Sequence, residues 1–172
     1  MNTHIRFATS QDAHEIAICH VAAWQKIYKG YIADSILNSL SVEERMTKWH
    51  KLILKNVKIL VIEHEQSVKG FASYSPSRDA DTNINQCGEI TAIYLHPDIW
   101  FQGMGKKICL AVFAALQEMG FNEVIVWTLR ENQQARNFYT KMGFKETSVT
   151  KIEYINQIIP IHEVRYHKLF NL

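Results

Sequence analysis

The segment Gly88–Lys107, GEITAIYLHPDIWFQGMGKK, limits the fold of this chain more than any other. Its apolar first part predicts a strand, Pro97 marks a turn, and Gly103 and Gly105 precede an amphipathic helix. The first turn of a helix offers unpaired backbone N–H groups and the positive end of the helix dipole. The sequence therefore predicts an anion site at which two glycines let a phosphate approach the backbone.

Size and composition are those of an ordinary globular protein. The 172 residues suffice for one domain with a sizeable core, and 47% of them are hydrophobic. A formal net charge of +2 is too small to indicate nucleic acid or an anionic membrane as a partner. Neither a signal peptide nor an apolar run of membrane-spanning length is apparent. We therefore expect a cytoplasmic protein.

The cysteines and histidines do not indicate a metal site. Cys19, Cys87 and Cys109 are widely spaced and odd in number, so we expect free buried thiols. The eight histidines lack metal-ligand spacing, and His162 and His167 would face opposite sides of one strand. A covalent role for Cys87 is not favoured, because no base is evident near it.

Hydrophobic periodicity predicts alternating strands and helices without repeats or linkers. The economical arrangement is one mixed sheet with helices on both faces. The predicted elements, in chain order, are a strand at 5–8, a helix capped by Ser10 or Asp12 and ending at Gly30, a short helix at 35–40, a helix begun by Ser41 and Glu44, a hairpin from Lys58, a polar surface loop over 76–86, the strand 89–95, a helix ending at Gly120, the strand 123–129, a helix ending at Gly143, and two strands that turn near Asn156 and Gln157.

Glu89, at the start of the strand 89–95, is a candidate general base. A carboxylate can accept a proton from a reacting group. The alternative is an ordinary exposed glutamate.

The glycine pair alone leaves three interpretations open. A Rossmann fingerprint would need a third glycine where Ile108 stands, and Glu123 lies at the wrong end of its strand for the expected acidic residue. A P-loop would need Ser or Thr after Lys106, where this chain has Lys107. The third interpretation is a glycine-rich turn that merely starts a helix.

The wider pattern favours one family. The strand IYLHP, the loop WFQGMG, a long helix, the strand EVIVWTL and the segment NQQARNFYTKMGF together resemble the GNAT N-acetyltransferase superfamily. The resemblance extends from IRFATSQDAHEIA to EVRYHKL. It implies a single α/β N-acetyltransferase domain over 1–172, with a mixed, mostly antiparallel sheet flanked by helices on both faces. It also implies acetyl-CoA as cosubstrate, no metal, and direct attack by a primary amine of a small molecule or of a peptide or protein.

The resemblance assigns the residues that would bind the carrier. The backbone of Ile93, Tyr94 and Leu95 would pair with the pantetheine arm, and an N–H of Ile93 or Leu95 would hold the thioester oxygen. The pyrophosphate loop in register with the family motif comprises Trp100, Phe101, Gln102, Gly103, Met104, Gly105 and Lys106. Trp100 departs from the family's Gln or Arg at the first position.

The resemblance also assigns catalytic and acceptor roles. Tyr139, within NFYTKMGF, would protonate the leaving thiolate. Glu89 matches the strand glutamate that some members use as a base, since an amine with a pKa near 10.4 is mostly protonated at pH 7 and must lose a proton before it attacks. Glu89 shares a strand face with Ile93, about 13 Å away, so this role would need an intervening water. Asn132 would bond the pantetheine or merely cap a helix. Trp24 and Tyr28 would line the acceptor pocket or belong to the core.

Two alternatives from other classes remain at this point. One is a non-catalytic module that binds or senses acyl-CoA, and the other is a dinucleotide-binding enzyme. The sequence leaves open whether the chain forms a homodimer.

Overall fold

A computed structural model describes residues 3–155 and 159–170. The strands are β1 (Thr3–Phe7), β2 (Lys58–His64), β3 (Ser67–Pro76), β4 (Cys87–Leu95), β5 (Glu123–Leu129), β6 (Lys145–Ile155) and β7 (Ile159–Leu169). The helices are α1 (Ala13–Ile27), α2 (Asp34–Asn38), α3 (Val42–Leu54), α4 (Met104–Glu118) and α5 (Gln133–Lys141). The predicted order of elements is confirmed. The predicted turn at Asn156 and Gln157 lies outside the described residues.

The strands are hydrogen-bonded in the order β1-β2-β3-β4-β5-β7-β6. β4 and β5 are parallel, with Cys87–Ile90 aligned to residues 123–126. The pairs β1-β2, β2-β3, β5-β7 and β6-β7 are antiparallel. The sheet is therefore mixed and mostly antiparallel, as predicted.

The chain forms two compact units. Unit 1 comprises Met1–Tyr74 and Ala92–Ala114, and unit 2 comprises Ser75–Thr91 and Ala115–Leu172. In unit 1, α1 and α3 pack on one face of the strands, where Val61 of β2 and its register partner Phe71 of β3 are fully buried. On the other face, Thr3 Oγ1 donates to Met104 Sδ of α4 at 3.8 Å. Helices thus cover both faces of the strands in unit 1.

The strands of unit 2 also have two distinct faces, because side chains alternate along a strand. Glu89 of β4 is aligned with Ile125 of β5, and Ile125 with His167 of β7. These three side chains share what we call the polar face of unit 2. Val126 and Tyr166, one residue along their strands, share the opposite face, which α5 covers.

The start of the chain differs from the prediction. β1 begins at Thr3 rather than at residue 5, because its pairing with β2 extends to His64. Asp12 precedes α1 but makes no cap hydrogen bond. Its two carboxylate oxygens instead accept hydrogen bonds of 2.8 Å from Arg6 and one of 2.6 Å from the Thr9 backbone N–H.

The predicted buried thiols are confirmed, since Cys19, Cys87 and Cys109 are buried and form no disulfide within the described residues. Burial raises the pKa of Cys87 to about 12, which leaves it protonated and unreactive at neutral pH. Within 3–155 and 159–170, no helix is long and apolar enough to cross a membrane.

Candidate active site

The end of β4 leads into the predicted turn and helix. A 3-10 turn over Pro97–Ile99 follows the strand, and α4 begins at Met104, so Gly105 and Lys106 lie in its first turn. Gly103 has φ +78, a conformation that favours glycine, and no described atom lies within 4 Å of a Cβ built there. Open space beside backbone N–H groups at a helix start is the arrangement that binds phosphate.

Trp100 has a structural role at the motif position where it departs from the family. Its Nε1 donates a hydrogen bond of 2.8 Å to the backbone oxygen of Leu95. Gln102 Nε2 likewise donates to the Asp98 backbone oxygen at 2.8 Å. These two side chains tie the loop to the end of β4 and to the 3-10 turn, and so fix its conformation.

Phe101 is the most unusual residue of this loop. It has φ +62, in the left-handed region that non-glycine residues rarely adopt, and its side chain is 89% exposed. Backbone strain of this kind costs about 1–3 kcal/mol and concentrates at ligand-binding segments. The loop thus presents an exposed ring next to the predicted anion site.

Gly70 supports the predicted carrier strand, and sequence reasoning did not identify it. A Cβ at Gly70 would lie 2.2 Å from Leu95 Cδ2 and 3.0 Å from the backbone oxygen of Tyr94. A side chain at residue 70 would therefore displace the end of the Leu95 side chain and crowd the Tyr94 backbone oxygen. The only sequence signal was a glycine inside a strand, which often marks a close approach of this kind.

A neutral histidine packs against the same strand. The His20 ring of α1 stacks on Tyr94 with centroids 4.7 Å apart, and its Nδ1 accepts a hydrogen bond of 3.0 Å from Trp49 Nε1. Burial, together with the nearby charges of Arg45 and Lys48, lowers the pKa of His20 to about 3. His20 is therefore an uncharged part of the aromatic core behind Tyr94.

Trp24 and Tyr28 lie side by side on α1, with ring centroids 4.7 Å apart. Tyr28 is buried, and Trp24 is partly buried beneath the guanidinium of Arg45, which is 5.0 Å from its ring centroid. These contacts are those of core residues, as one interpretation of the sequence proposed. Their predicted role in acceptor binding stays a prediction.

A cavity of about 550 Å³ lies next to them in unit 1. Lys26 and Lys29 of α1, Asp34 of α2, and His96 and Asp98 after β4 are among its lining residues. Its volume is typical of small-molecule sites. Asp34 belongs to the segment GYIADSIL that we expected near the acceptor, whereas neither Trp24 nor Tyr28 lines the cavity.

In unit 2, Glu89 is buried and ion-paired rather than exposed. Its side chain is 2% exposed, and Arg78 donates to it from Nη2 (2.5 Å to Oε1), from Nε (3.0 Å to Oε2) and from its backbone N–H (3.1 Å to Oε2). The interpretation of an ordinary exposed glutamate is wrong. A carboxylate has about four lone-pair sites, so three bonds leave one acceptor site on Oε1.

Tyr139 of α5 lies in an aromatic cluster on the opposite face of unit 2. Its ring centroid is 5.6 Å from that of Phe144 and 5.8 Å from that of Tyr166, and its side chain is 5% exposed. Tight packing fixes the direction of a phenol, which a general acid requires. The predicted role of Tyr139 as general acid stays a prediction.

Asn132 caps α5, as one interpretation of the sequence proposed. Its Oδ1 accepts a hydrogen bond of 3.0 Å from the Ala135 backbone N–H. The amide nitrogen of Asn132 is not used in this cap. The cap therefore leaves the amide nitrogen able to donate to pantetheine, and that predicted bond stays a prediction.

The loop between β3 and β4 carries functional candidates that sequence reasoning missed. Beyond Arg78, Asp79 Oδ2 accepts from Arg165 Nη1 at 2.9 Å and from Trp127 Nε1 at 3.1 Å. Asp81 accepts two hydrogen bonds from Arg165, of 2.7 and 2.8 Å. The polar composition of this loop predicted an exposed segment, but its charges fold back onto the polar face. Alternating charges along β7 were the available signal.

No group of three or more potential metal ligands occurs within 3–155 and 159–170.

Comparison with known sequences identifies one family, and solved structures share the fold. The sequence model of the Acetyltransferase (GNAT) family matches residues 7–144. The uncharacterized N-acetyltransferase YuaI of Bacillus subtilis is 34% identical over 128 residues, which are 74% of this chain and 72% of YuaI. The PaiA N-acetyltransferase of Thermoplasma acidophilum, solved with coenzyme A, has a TM-score of 0.74 at 19% identity and covers 99% of this chain and 100% of its own. YncA of Salmonella typhimurium, a putative acetyltransferase solved with acetyl-CoA, has a TM-score of 0.72 at 18% identity, over 100% of this chain and 96% of its own.

Proposed function

Because this chain belongs to the acetyltransferase (GNAT) family, we propose that it transfers an acetyl group from acetyl-CoA to a primary amine. The observation that carries the proposal is the segment from Ile93 to Lys106. There, a strand end, a 3-10 turn, a glycine with φ +78 and a helix start follow one another. Backbone N–H groups at such a helix start favour the coenzyme A pyrophosphate over a neutral ligand.

Three groups of residues would hold the carrier. The backbone of Ile93, Tyr94 and Leu95 pairs with the pantetheine arm, beyond the four residue pairs that join β4 to β5 in the described ladder. The loop from Trp100 to Lys106 receives the pyrophosphate. The free amide nitrogen of Asn132 donates to the pantetheine.

Glu89 and Tyr139 move the protons in this reaction. Glu89, acting through a water on its remaining acceptor site, takes a proton from the acceptor ammonium. The amine then attacks the acetyl carbon, a new C–N bond forms, and a backbone N–H of Ile93 or Leu95 stabilises the oxyanion. The C–S bond breaks as Tyr139 donates its hydroxyl proton to the departing thiolate. The second amine proton then passes through water to the Tyr139 phenolate, which completes the amide and restores Tyr139, and Glu89 releases its proton to solvent.

The two units together would form one N-acetyltransferase domain over residues 1–172. We expect it to act in the cytoplasm, since its three cysteines form no disulfide within the described residues. The acceptor is a small molecule or a peptide amine, and neither nucleic acid nor membrane is a partner.

One observation favours the rival function of a non-catalytic acyl-CoA sensor. The carboxylate of Glu89 is engaged by Arg78 and almost fully buried, so a base must be released or reached by water before it acts. The two functions differ in whether a carbon–sulfur bond is broken.

The experiment uses the purified chain with coenzyme A, acetyl-CoA or NAD. We expect thermal stabilisation by coenzyme A and acetyl-CoA and none by NAD. With a panel of amines and peptides, acetyl-CoA should release free thiol together with an equal amount of acetylated amine. Stabilisation without thiol release from any acceptor would support the sensor, and stabilisation by NAD alone would overturn the family-based carrier assignment.

A further inference from the structure

The side chain of Phe101 projects into solvent, whereas its two neighbours in the loop are tied to the backbone. Trp100 donates its Nε1 hydrogen bond to the Leu95 backbone oxygen. Gln102 donates its Nε2 hydrogen bond to the Asp98 backbone oxygen. Phe101 is 89% exposed, the largest value among the large hydrophobic side chains of the described residues. The loop therefore presents one free aromatic face between two anchored residues.

The free protein gains little from phenylalanine at this position. A ring in water forgoes the free energy that its burial would supply. The backbone of Phe101 has φ +62, a conformation that glycine adopts without steric cost. The ring becomes favourable when it contacts a bound molecule, so its partner has to be sought among the ligands of the loop.

Phe101 lies within reach of a group that is joined to a phosphate at the start of α4. It precedes Gly103 by two residues, a span of at most about 7 Å. Gly103 has open space beside it, and the helix begins at Met104. Lys106 and Lys107, both exposed in the first turn of α4, add positive charge there. A planar group one sugar away from a phosphate at this helix start can thus reach the ring.

Coenzyme A carries such a group beyond its pyrophosphate. In the proposed function, the pantetheine arm pairs with residues 93–95 and the loop holds the pyrophosphate, so the adenosine is the part of the carrier without assigned residues. Its adenine is a flat π system joined to the pyrophosphate through one ribose. An aromatic side chain stacks favourably on a nucleobase, because every base has a π face. The chemistry of the exposed ring therefore matches the adenine.

We infer that Phe101 binds the adenine of coenzyme A by stacking on it. This inference rests on the proposed function, because it concerns the carrier of that reaction. It assigns to the Phe101 side chain a contact that is separate from the backbone N–H groups of the loop, which bind phosphate. The adenine is remote from the thioester, so the contact contributes to carrier affinity and leaves the chemical step unchanged.

Isothermal titration calorimetry with two carriers tests the stack. The ligands are coenzyme A and 4′-phosphopantetheine, which has the pantetheine arm and one phosphate but no adenosine. Phe101→Leu removes the ring but keeps an apolar side chain under the same backbone constraint. We expect this variant to bind coenzyme A about tenfold more weakly and to bind 4′-phosphopantetheine as the wild type does. Phe101→Trp should retain the affinity for coenzyme A.

Phe7→Leu is the matched control, because it makes the same substitution at another exposed phenylalanine of unit 1. Its affinity for coenzyme A should equal that of the wild type. Circular dichroism verifies that each variant is folded. In steady-state kinetics, Phe101→Leu should raise the KM for acetyl-CoA about tenfold and leave kcat unchanged.

The two ligands separate stacking from a role of Phe101 in the shape of the loop. Equal weakening of coenzyme A and 4′-phosphopantetheine in Phe101→Leu would show that the residue shapes the loop, and would overturn the inference. An unchanged affinity for coenzyme A in Phe101→Leu would also overturn it.

The same measurements distinguish this inference from the proposed function. Binding of coenzyme A that depends on Phe101, without thiol release from acetyl-CoA and any amine, would support the stack and contradict the enzyme. Acetyl transfer with carrier affinity independent of Phe101 would support the enzyme and contradict the stack. Failure of the wild type to bind coenzyme A would contradict both.

Discussion

Glu89 and Tyr139 lie on opposite faces of the sheet in unit 2. Glu89 shares its face with Ile125, whereas Tyr139 packs against Tyr166 on the face covered by α5. In the proposed reaction, Glu89 would act on the incoming amine and Tyr139 on the departing thiolate, which are different atoms of the same intermediate. Variants of the two residues therefore test the two proposed proton transfers separately.

Replacing Tyr139 by Phe should lower kcat by about 100-fold, because general acid catalysis contributes roughly that factor. The ring contacts with Phe144 and Tyr166 remain, so the fold and the KM for acetyl-CoA should change little. Steady-state kinetics checks this, with Tyr154→Phe, an exposed tyrosine, as the control. An unchanged kcat in Tyr139→Phe would contradict the role of Tyr139 as general acid.

Replacing Glu89 by Gln should reduce turnover most strongly near pH 7, where the acceptor amine is protonated. As the pH rises, the amine loses its proton to solvent, and the rate of the variant should approach that of the wild type. The pH dependence of kcat/KM measures this. A reduction of the same size at every pH would indicate a structural role for Glu89 instead.

The ion pair between Arg78 and Glu89 should also contribute to stability. Arg78→Gln removes the guanidinium and its two hydrogen bonds from the buried carboxylate, so the free energy of unfolding should fall by about 2 kcal/mol. The double variant Arg78→Gln with Glu89→Gln should recover part of this loss, because no buried charge remains. Urea denaturation checks both, and additive losses in the double variant would show that the pair is not coupled.

The sequence predicts the helices and strands of both units well, but it does not predict the contacts of the loop between β3 and β4. The periodicity of α1, the apolar run of β5 and the glycines after α4 and α5 predicted those elements, because burial on one or both faces leaves a local pattern. The charges of Arg78 and Asp79 left no such pattern. Their partners Glu89 and Arg165 are distant in the chain and are brought near only by the register of the sheet, so composition alone predicted an exposed loop.

Acidification should destabilise the protein through His20. Its pKa is about 3 in the folded chain but near 6.5 in the unfolded chain, so between these values the unfolded state binds more protons. The free energy of unfolding should therefore fall as the pH drops below 6.5, by about 1.4 kcal/mol per pH unit from this group. Denaturation at pH 7 and pH 5 measures the effect.

His20→Gln keeps an acceptor for Trp49 but does not titrate, so its stability should depend less on pH than that of the wild type. His50→Gln is the control, because it makes the same substitution at a histidine of α3 that is exposed to solvent. The same pH dependence in the wild type and His20→Gln would contradict a neutral, buried His20.

Trp100→Phe should weaken coenzyme A binding several-fold. It keeps an aromatic ring but removes the hydrogen bond to the Leu95 backbone oxygen, worth about 1 kcal/mol, that ties the loop to the strand. Trp100→Gln restores the residue type of the family motif and should bind more tightly than Trp100→Phe. Calorimetric affinities check this, and equal affinities in all three proteins would contradict a role for the indole in the loop.

The most direct test of the central claim is to measure the products of a single reaction mixture containing the chain, acetyl-CoA and an amine acceptor. Mass spectrometry of the amine and titration of the free thiol should give acetylated amine and coenzyme A in equal amounts, with both reduced about 100-fold in Tyr139→Phe. Tight binding of acetyl-CoA with no acetylated amine, across acceptors that include cationic amino alcohols and lysine peptides, would contradict the account.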